Sequence, residues 1–146
     1  MKKVIEINSE TDTCQLAKIL SHQIEVGDVL ALSGKLGTGK TFFTQCICKF
    51  LGVTEYVSSP SYILLNEYKG KFDIAHFDLY RLSSLEEVLE IGLIEIMEQR
   101  LTIIEWYEIA NDILPKETIF LDFEMIGDSR KVTLNTDKTL VMEIPC

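Results

Sequence analysis

The glycine-rich stretch GKLGTGKT, residues 34–41, decides the fold class of this chain. It satisfies the pattern G-x-x-x-x-G-K-[ST], whose glycines let successive backbone N–H groups converge on phosphate oxygens. In that pattern Lys40 reaches the β- and γ-phosphates, and the Thr41 hydroxyl holds Mg²⁺. A strand-to-helix turn without a ligand is the alternative, and the complete match argues against it. The predicted nucleotide-binding residues of the loop are Leu36, Gly37, Thr38, Gly39, Lys40 and Thr41.

The sequence around the loop gives it the context that a phosphate site needs. The preceding run DVLALS, residues 28–33, is nearly all apolar, which is typical of a strand buried on both faces. A helix is predicted from Lys40 to Leu51, where Gly52 ends it. Its N-terminus adds a positive dipole end to the phosphate site.

The rest of the chain alternates strands with helices, and its 146 residues suit a single domain. We therefore predict one P-loop domain over residues 1–146, with a three-layer α/β fold of the P-loop NTPase type. Its central sheet is expected to be mixed, with an antiparallel pair of C-terminal strands. The predicted strands are 2–7, 57–68, 71–80, 101–106, 118–126 and 130–136, and the further helices follow Ser9 and Ser84 and span 93–100.

Net charge excludes some function classes. At −9 the chain is a poor stand-alone RNA or DNA binder, because such binding depends on Lys and Arg neutralising phosphates. Acid is concentrated between Ser84 and Asp112, where it forms either a solvated helix face or a docking surface for a basic partner. No run approaches the roughly 20 apolar residues of a membrane span, and the N-terminus lacks a signal peptide's apolar region. We therefore expect a cytoplasmic protein with no membrane association.

The four cysteines agree with a reducing compartment. Cys46 and Cys48 lie on the predicted helix, whereas Cys14 and Cys146 are distant in sequence. With no C-x-x-C pair and two histidines, a structural metal site is not expected. Reduced thiols in or near the core are the prediction.

Two carboxylates follow apolar runs and are candidates for the acid that a P-loop site needs on Mg²⁺ or its waters. Glu105 follows LTII and has the stronger placement, at a predicted strand tip. Asp78 follows IAHF and could position the attacking water or a switch segment. The alternatives are a surface acid for Glu105 and a local turn or cap role for Asp78.

Two subfamilies of P-loop proteins are disfavoured by missing residues. Neither the D-x-x-G nor the N-K-x-D motif of a GTPase occurs in the chain. A small-molecule kinase needs basic residues for its anionic acceptor, and these are sparse after Thr41. Adenine nucleotide hydrolysis or nucleotide-driven switching is therefore favoured.

Five segments in a fixed order resemble one family. The loop is followed by SSPSY at 58–62, HFDLYRL at 76–82, EEVLEIG at 86–92 and IEW at 104–106. This combination, over roughly residues 13–130, resembles the bacterial TsaE (YjeE) family. The resemblance implies an ATP- and Mg²⁺-dependent ATPase that acts on the partner proteins TsaB and TsaD. Those partners put the threonylcarbamoyl group on adenosine 37 of tRNAs reading codons that begin with A, so the ATPase meets tRNA only through them.

The resemblance also implies roles for individual residues. Thr41 and Glu105 match the magnesium residues, and Asp78, Glu105 and Trp106 match residues required for activity. Trp106 could instead be a half-buried core aromatic. Thr13 and Arg130 align with residues near the base and ribose.

Three positions depart from the family pattern: Lys35 replaces an acid, Phe42 replaces a threonine, and Ser61 replaces a threonine. Lys35 and Phe42 keep a second function open, a nucleotide-gated scaffold with negligible hydrolysis. A small-molecule kinase is a further alternative and is less favoured.

Overall fold

A mixed sheet forms the centre of the computed structural model, which describes residues 1–61 and 63–143. Its strands are β1 (Lys2–Ile7), β2 (Val29–Ser33), β3 (Leu65–Lys69), β4 (Asp73–Asp78), β5 (Leu101–Glu105), β6 (Ile119–Ile126) and β7 (Ser129–Asn135). Across the described residues they lie in the order β1-β7-β6-β2-β5-β4-β3. β2 is parallel to β5 and β6, and β4 is parallel to β5. The pairs β1–β7, β6–β7 and β3–β4 are antiparallel, so the predicted mixed sheet and C-terminal strand pair are confirmed.

Helices cover both faces of the sheet. They are α1 (Glu10–Ser21), α2 (Lys40–Phe50), α3 (Leu85–Glu90) and α4 (Leu93–Gln99), with a 3-10 helix over Tyr107–Ile113. The cap predicted for α1 is present, since the Ser9 hydroxyl accepts from the Asp12 backbone N–H. In the part of the chain that is described, no helix has the length and apolar character needed to cross a membrane.

Side chains that alternate along the central strands pack into two hydrophobic cores, one on each face of the sheet. Leu30 and Leu32 of β2 lie in a core with α1 and α2, whereas Val29 faces the core made with α3 and α4. In β5, Ile103 and Ile104 divide between the same two cores. The sheet is thus buried on both sides, and the predicted three-layer α/β fold is confirmed.

Two local predictions were wrong. The first strand of the hairpin begins at Leu65 instead of residue 57, and residues 57–61 form a loop. Pro60 has no backbone N–H for a ladder, and Leu64 adopts a left-handed φ of 73°, which interrupts an extended strand. Tyr62 lies outside the described residues. The 3-10 helix after β5 was not predicted, because seven residues without a strong helical pattern give little signal.

The prediction of reduced thiols was wrong for one pair of cysteines. Cys14 of α1 and Cys46 of α2 form a disulfide, with their Cα atoms 5.5 Å apart. They are separated by 32 residues, so only the packing of the two helices brings them together. Cys48 is free and buried, as predicted, and burial raises its pKa to about 12. Cys146 lies outside the described residues.

The acidic segment divides between solvent and the interior. Glu86, Glu90, Glu95 and Glu98 are exposed on α3 and α4, which both a solvated helix face and a docking surface require. Glu105 is only 4% exposed at the end of β5, which excludes the surface-acid alternative for that residue.

Candidate functional site

The glycine loop between β2 and α2 has backbone φ angles that residues with a side chain rarely adopt. Gly34, Gly37 and Gly39 have φ values of 134°, 83° and 111°. The Thr38 hydroxyl donates to the Lys35 carbonyl oxygen at 2.6 Å, which closes the turn. Gly39 caps α2 without a side-chain hydrogen bond, so the first backbone N–H groups of the helix remain available. This is the arrangement that receives a phosphate group.

A cleft of about 420 Å³ opens in front of this loop. From the loop and helix it is lined by Leu36, Gly37, Gly39, Lys40 and Thr41. From other elements it is lined by Asp78, Glu105, Trp106 and Arg130. The structure therefore brings together nine of the predicted site residues, although they come from four separate segments of the chain. A larger cavity, of about 510 Å³, shares no lining residue with this cleft and lies among charged side chains of β3 and β4.

Two predicted binding residues do not face the cleft. Thr38 is 4% exposed and its hydroxyl is used inside the loop. Thr13 is also 4% exposed, on the buried side of α1. Glu10, nearly one helical turn earlier, lines the cleft in its place. The prediction that Thr13 binds nucleotide therefore lacks support from its position.

Glu105 is held between two cationic or polar neighbours. Its Oε2 lies 2.8 Å from Nε2 of His76, and its Oε1 lies 3.9 Å from Nζ of Lys40. Lys40 is itself only 8% exposed. A carboxylate and an ammonium group are thus fixed side by side at the base of the cleft, where water screens them less than at the surface.

Asp78 lies next to Glu105 because β4 and β5 are parallel and these residues are register partners. Its Oδ2 accepts a hydrogen bond from the Ser61 hydroxyl at 3.0 Å, and its Oδ1 accepts from the Tyr80 backbone N–H at 2.9 Å. Asp78 therefore has the turn role considered for it and also lines the cleft. Its bond to Ser61 ties the loop after α2 to the end of β4.

Trp106 forms part of the cleft's rim. It is 45% exposed and has a left-handed backbone, with φ of 56°, so it is not a core aromatic. Its ring packs against Tyr80 at a centroid distance of 4.8 Å. Nζ of Lys40 lies 5.6 Å from the Trp106 ring centre, within the range of a cation–π contact.

The residues that depart from the family pattern differ in position. Phe42 lines the cleft and also packs, partly buried, against the core that α1 and α2 share. Lys35 is exposed and does not line the cleft.

Arg130 of β7, a predicted binding residue, does line the cleft, and its guanidinium lies close to Gly39.

His76 is the functional candidate that the sequence reasoning missed. It is completely buried on β4, two residues before Asp78, and it contacts Glu105. The alternation of a strand could have indicated it, since residues 76 and 78 share one face of the sheet. Ser59, which belongs to the SSPSY segment, and Glu10 also line the cleft, and no local pattern marks Glu10.

Known proteins resemble the chain over most of its length. The family described as "Threonylcarbamoyl adenosine biosynthesis protein TsaE" matches residues 7–132. Proteins named tRNA threonylcarbamoyladenosine biosynthesis protein TsaE are similar to it. The one from Rickettsia felis is 37% identical over 92% of this chain and 82% of its own. The one from Borreliella burgdorferi is 38% identical over 90% of this chain and 98% of its own.

A solved structure agrees with the sequence relatives. The crystal structure of Bacillus subtilis YdiB superposes with a TM-score of 0.79 at 29% identity, over 93% of this chain and 86% of that one. Sequence, fold and the residues around the glycine loop lead to the same assignment. The chain belongs to the TsaE family of tRNA threonylcarbamoyladenosine biosynthesis proteins.

Proposed function

We propose that this protein is a Mg²⁺-dependent ATPase that supports the formation of threonylcarbamoyladenosine at position 37 of tRNA by acting on TsaB and TsaD. One observation carries the ATPase proposal: Lys40, Asp78 and Glu105 line one cleft at the N-terminus of α2. Polyphosphate binding and hydrolysis need a phosphate cradle, a cation and carboxylates on the neighbouring strands. The N-terminus of α2, Lys40 and the two carboxylates supply these three elements.

The residues of the cleft divide into binding and hydrolytic groups. The free N–H groups at the start of α2 and the Lys40 ammonium would bind the β- and γ-phosphates. Asp78 and Glu105 would hold and orient the attacking water, since both carboxylates border the cleft. Trp106 and Arg130 would contact the nucleotide at the cleft's edges.

The residues present suit Mg²⁺. The ion prefers oxygen ligands, and Thr41 and Glu105 offer a hydroxyl and a carboxylate at the same cleft. No group of three metal-binding side chains occurs within residues 1–61 and 63–143, so nucleotide and water would supply the other ligands. When bound, Mg²⁺ neutralises charge on the phosphate oxygens.

Nucleotide binding is tested by replacing one of two lysines in the same loop. Lys40→Ala should weaken ATP binding by about 100-fold or more, because the buried ammonium beside the phosphates is lost. Lys35→Ala is the matched control, since Lys35 is exposed and lies outside the cleft, and it should bind within about threefold of the unmodified protein. Tight ATP binding by Lys40→Ala, measured by calorimetry, would overturn the assignment of the loop.

Hydrolysis is tested by replacing Glu105. Glu105→Ala should still bind ATP but release phosphate at least about 100-fold more slowly. Glu108→Ala, an exposed acid on the 3-10 helix, should hydrolyse ATP normally. Normal turnover by Glu105→Ala would transfer the hydrolytic role to Asp78.

Acting through partners agrees with the protein's charge. With a net charge of −9 the chain should not hold tRNA by itself. Adding TsaB and TsaD should stimulate phosphate release, and tRNA alone should leave the rate unchanged. A tRNA-dependent rate in the absence of both proteins would contradict this part of the proposal.

A nucleotide-gated scaffold with negligible hydrolysis is the second candidate, and Phe42 is the observation that favours it. At this position of the cleft a phenylalanine offers no hydroxyl for a further polar contact. The scaffold predicts ATP-dependent binding to TsaB and TsaD without phosphate release, whereas the ATPase predicts both.

We place this role in the cytoplasm, where tRNA is modified. Thiol buffers there keep such cysteines reduced, so the Cys14–Cys46 disulfide is the feature that opposes this placement. Alkylation of thiols in freshly lysed cells, followed by mass spectrometry, would measure the fraction that is linked.

A further inference from the structure

The contact between His76 and Glu105 is built into the sheet. His76 and Asp78 are alternate residues of β4, and Glu105 is the register partner of Asp78 on β5. All three side chains therefore point to the face that α2 covers. His76 is 0% exposed, and its Nε2 lies 2.8 Å from Oε2 of Glu105.

The tautomer of the His76 ring follows from its partners. An ionised carboxylate only accepts hydrogen bonds, so Nε2 must carry the proton that it shares with Glu105. Nδ1 is buried and has no hydrogen-bond partner among the described residues. A proton on Nδ1 would have no acceptor there, and an unpaired buried N–H is costly. Nε2–H is thus the donor that His76 directs at Glu105.

Among the described residues, the imidazole of His76 makes one hydrogen bond, the bond to Glu105. The next residue on the same face of β4, Ile74, is apolar and completely buried, as expected for a core position. Burying an imidazole with one unsatisfied nitrogen is unfavourable unless the other nitrogen makes a worthwhile bond. The partner of that bond, Glu105, is the carboxylate to which we assign Mg²⁺ and hydrolysis.

We propose that His76 is a positioning residue for Glu105. It holds Oε2 from inside the sheet, so that Oε1 faces Lys40 and the cleft. Without this bond the buried carboxylate can rotate about its terminal torsion, which is soft in glutamate. The functional part of this inference rests on the proposed ATPase activity, whereas the hydrogen bond and the tautomer do not.

The geometry is tested in the nucleotide-free protein by ¹⁵N NMR of histidine. The chain has two histidines, and His22 is exposed, so the spectra are simple and contain an internal reference. His76 should show a protonated Nε2 and an unprotonated Nδ1, whereas His22 should average both tautomers. In Glu105→Ala the His76 Nε2–H signal should shift. A protonated Nδ1 on His76, or signals that Glu105→Ala leaves unchanged, would overturn the proposal.

The role is tested with two replacements of similar size. His76→Gln keeps an N–H donor near the position of Nε2, whereas His76→Met fills the space without a donor. His76→Met should lose about 10- to 100-fold in kcat while ATP binds within about threefold, because the contact orients a hydrolytic group and not the nucleotide. His76→Gln should recover kcat to within about threefold.

The outcomes separate this inference from the proposed function. Equal losses of kcat in the two variants, or a parallel loss of ATP binding in His76→Met, would make His76 a core residue only. If the unmodified protein released no phosphate with its partners, the ATPase proposal would fail. The NMR measurement would still decide whether His76 holds Glu105.

Discussion

Adding a methyl group at Gly34 should destabilise the protein more than the same change at Gly37. Both residues have positive φ, 134° and 83°, and both lie in the glycine loop. They differ in what the added carbon would meet. At Gly34 it would lie 2.5 Å from the carbonyl oxygen of Phe123 and 2.9 Å from the Thr38 hydroxyl, whereas at Gly37 nothing lies within 4 Å.

The expected cost is the sum of backbone strain and overlap. A φ in this region costs a residue other than glycine about 1–3 kcal/mol. Overpacking against fixed neighbours costs a further 1–3 kcal/mol or so, and the Phe123 carbonyl belongs to β6, which cannot move freely. Gly34→Ala should therefore lower the free energy of unfolding by about 2–6 kcal/mol. Gly37→Ala has the strain alone and should lower it by about 1–3 kcal/mol, so the expected difference between the variants is the cost of the overlap.

Urea denaturation followed by circular dichroism measures both free energies in the absence of nucleotide. The slope of the unfolding free energy with urea should stay the same for both variants, so that midpoints can be compared directly. A difference smaller than about 0.5 kcal/mol between the variants would refute the reasoning. The close approach of the loop to β6 would then not limit which residue stands at position 34.

Four other perturbations have definite expected outcomes. Burial raises the pKa of Cys48 to about 12, so iodoacetamide at pH 8 should label it only after denaturation, as judged by mass spectrometry. Since the pKa of this thiol is 9.0 in the unfolded chain, the free energy of unfolding should fall by about 1.4 kcal/mol per pH unit between pH 9 and 12, unless the fold is lost first. Reducing the Cys14–Cys46 disulfide, whose residues are 32 positions apart, should lower that free energy by about 3–4 kcal/mol in urea titrations. Removing Mg²⁺ with EDTA should weaken ATP binding at least about tenfold in calorimetry, and unchanged affinity would argue against Glu105 as a metal ligand.

Local patterns predicted the parts of the fold that depend on neighbouring residues. β2, the glycine loop and α2 follow from an apolar run, a fixed glycine spacing and helix periodicity, all within about 25 residues of sequence. The ends of β4 and β5 followed from apolar runs that terminate in an acid. Because parallel neighbours end at the same edge of a sheet, that pattern was enough to bring Asp78 and Glu105 to one site.

Features that depend on packing between distant segments were not predictable in the same way. The Cys14–Cys46 pair exists because α1 lies beside α2, and no spacing rule encodes that contact. Thr13 was placed at the site by similarity of sequence, whereas helix phase directs Glu10 to the cleft and buries Thr13. Two side chains three residues apart on a helix point in directions that differ by about 60°, which is enough to turn one of them away from the cleft.

The charges of the cleft explain why a cation should be essential to binding. Among its described lining residues, Lys40 and Arg130 are basic, whereas Glu10, Asp78 and Glu105 are acidic. A polyphosphate would therefore enter a cleft whose side chains are on balance negative, in a protein of net charge −9. The N–H groups of the loop and the dipole of α2 supply partial charges, which are too small to offset several phosphate charges. In the proposed function, a divalent cation beside Glu105 would reverse the sign at that carboxylate, so an acid that repels the nucleotide alone would help to retain the nucleotide together with the cation.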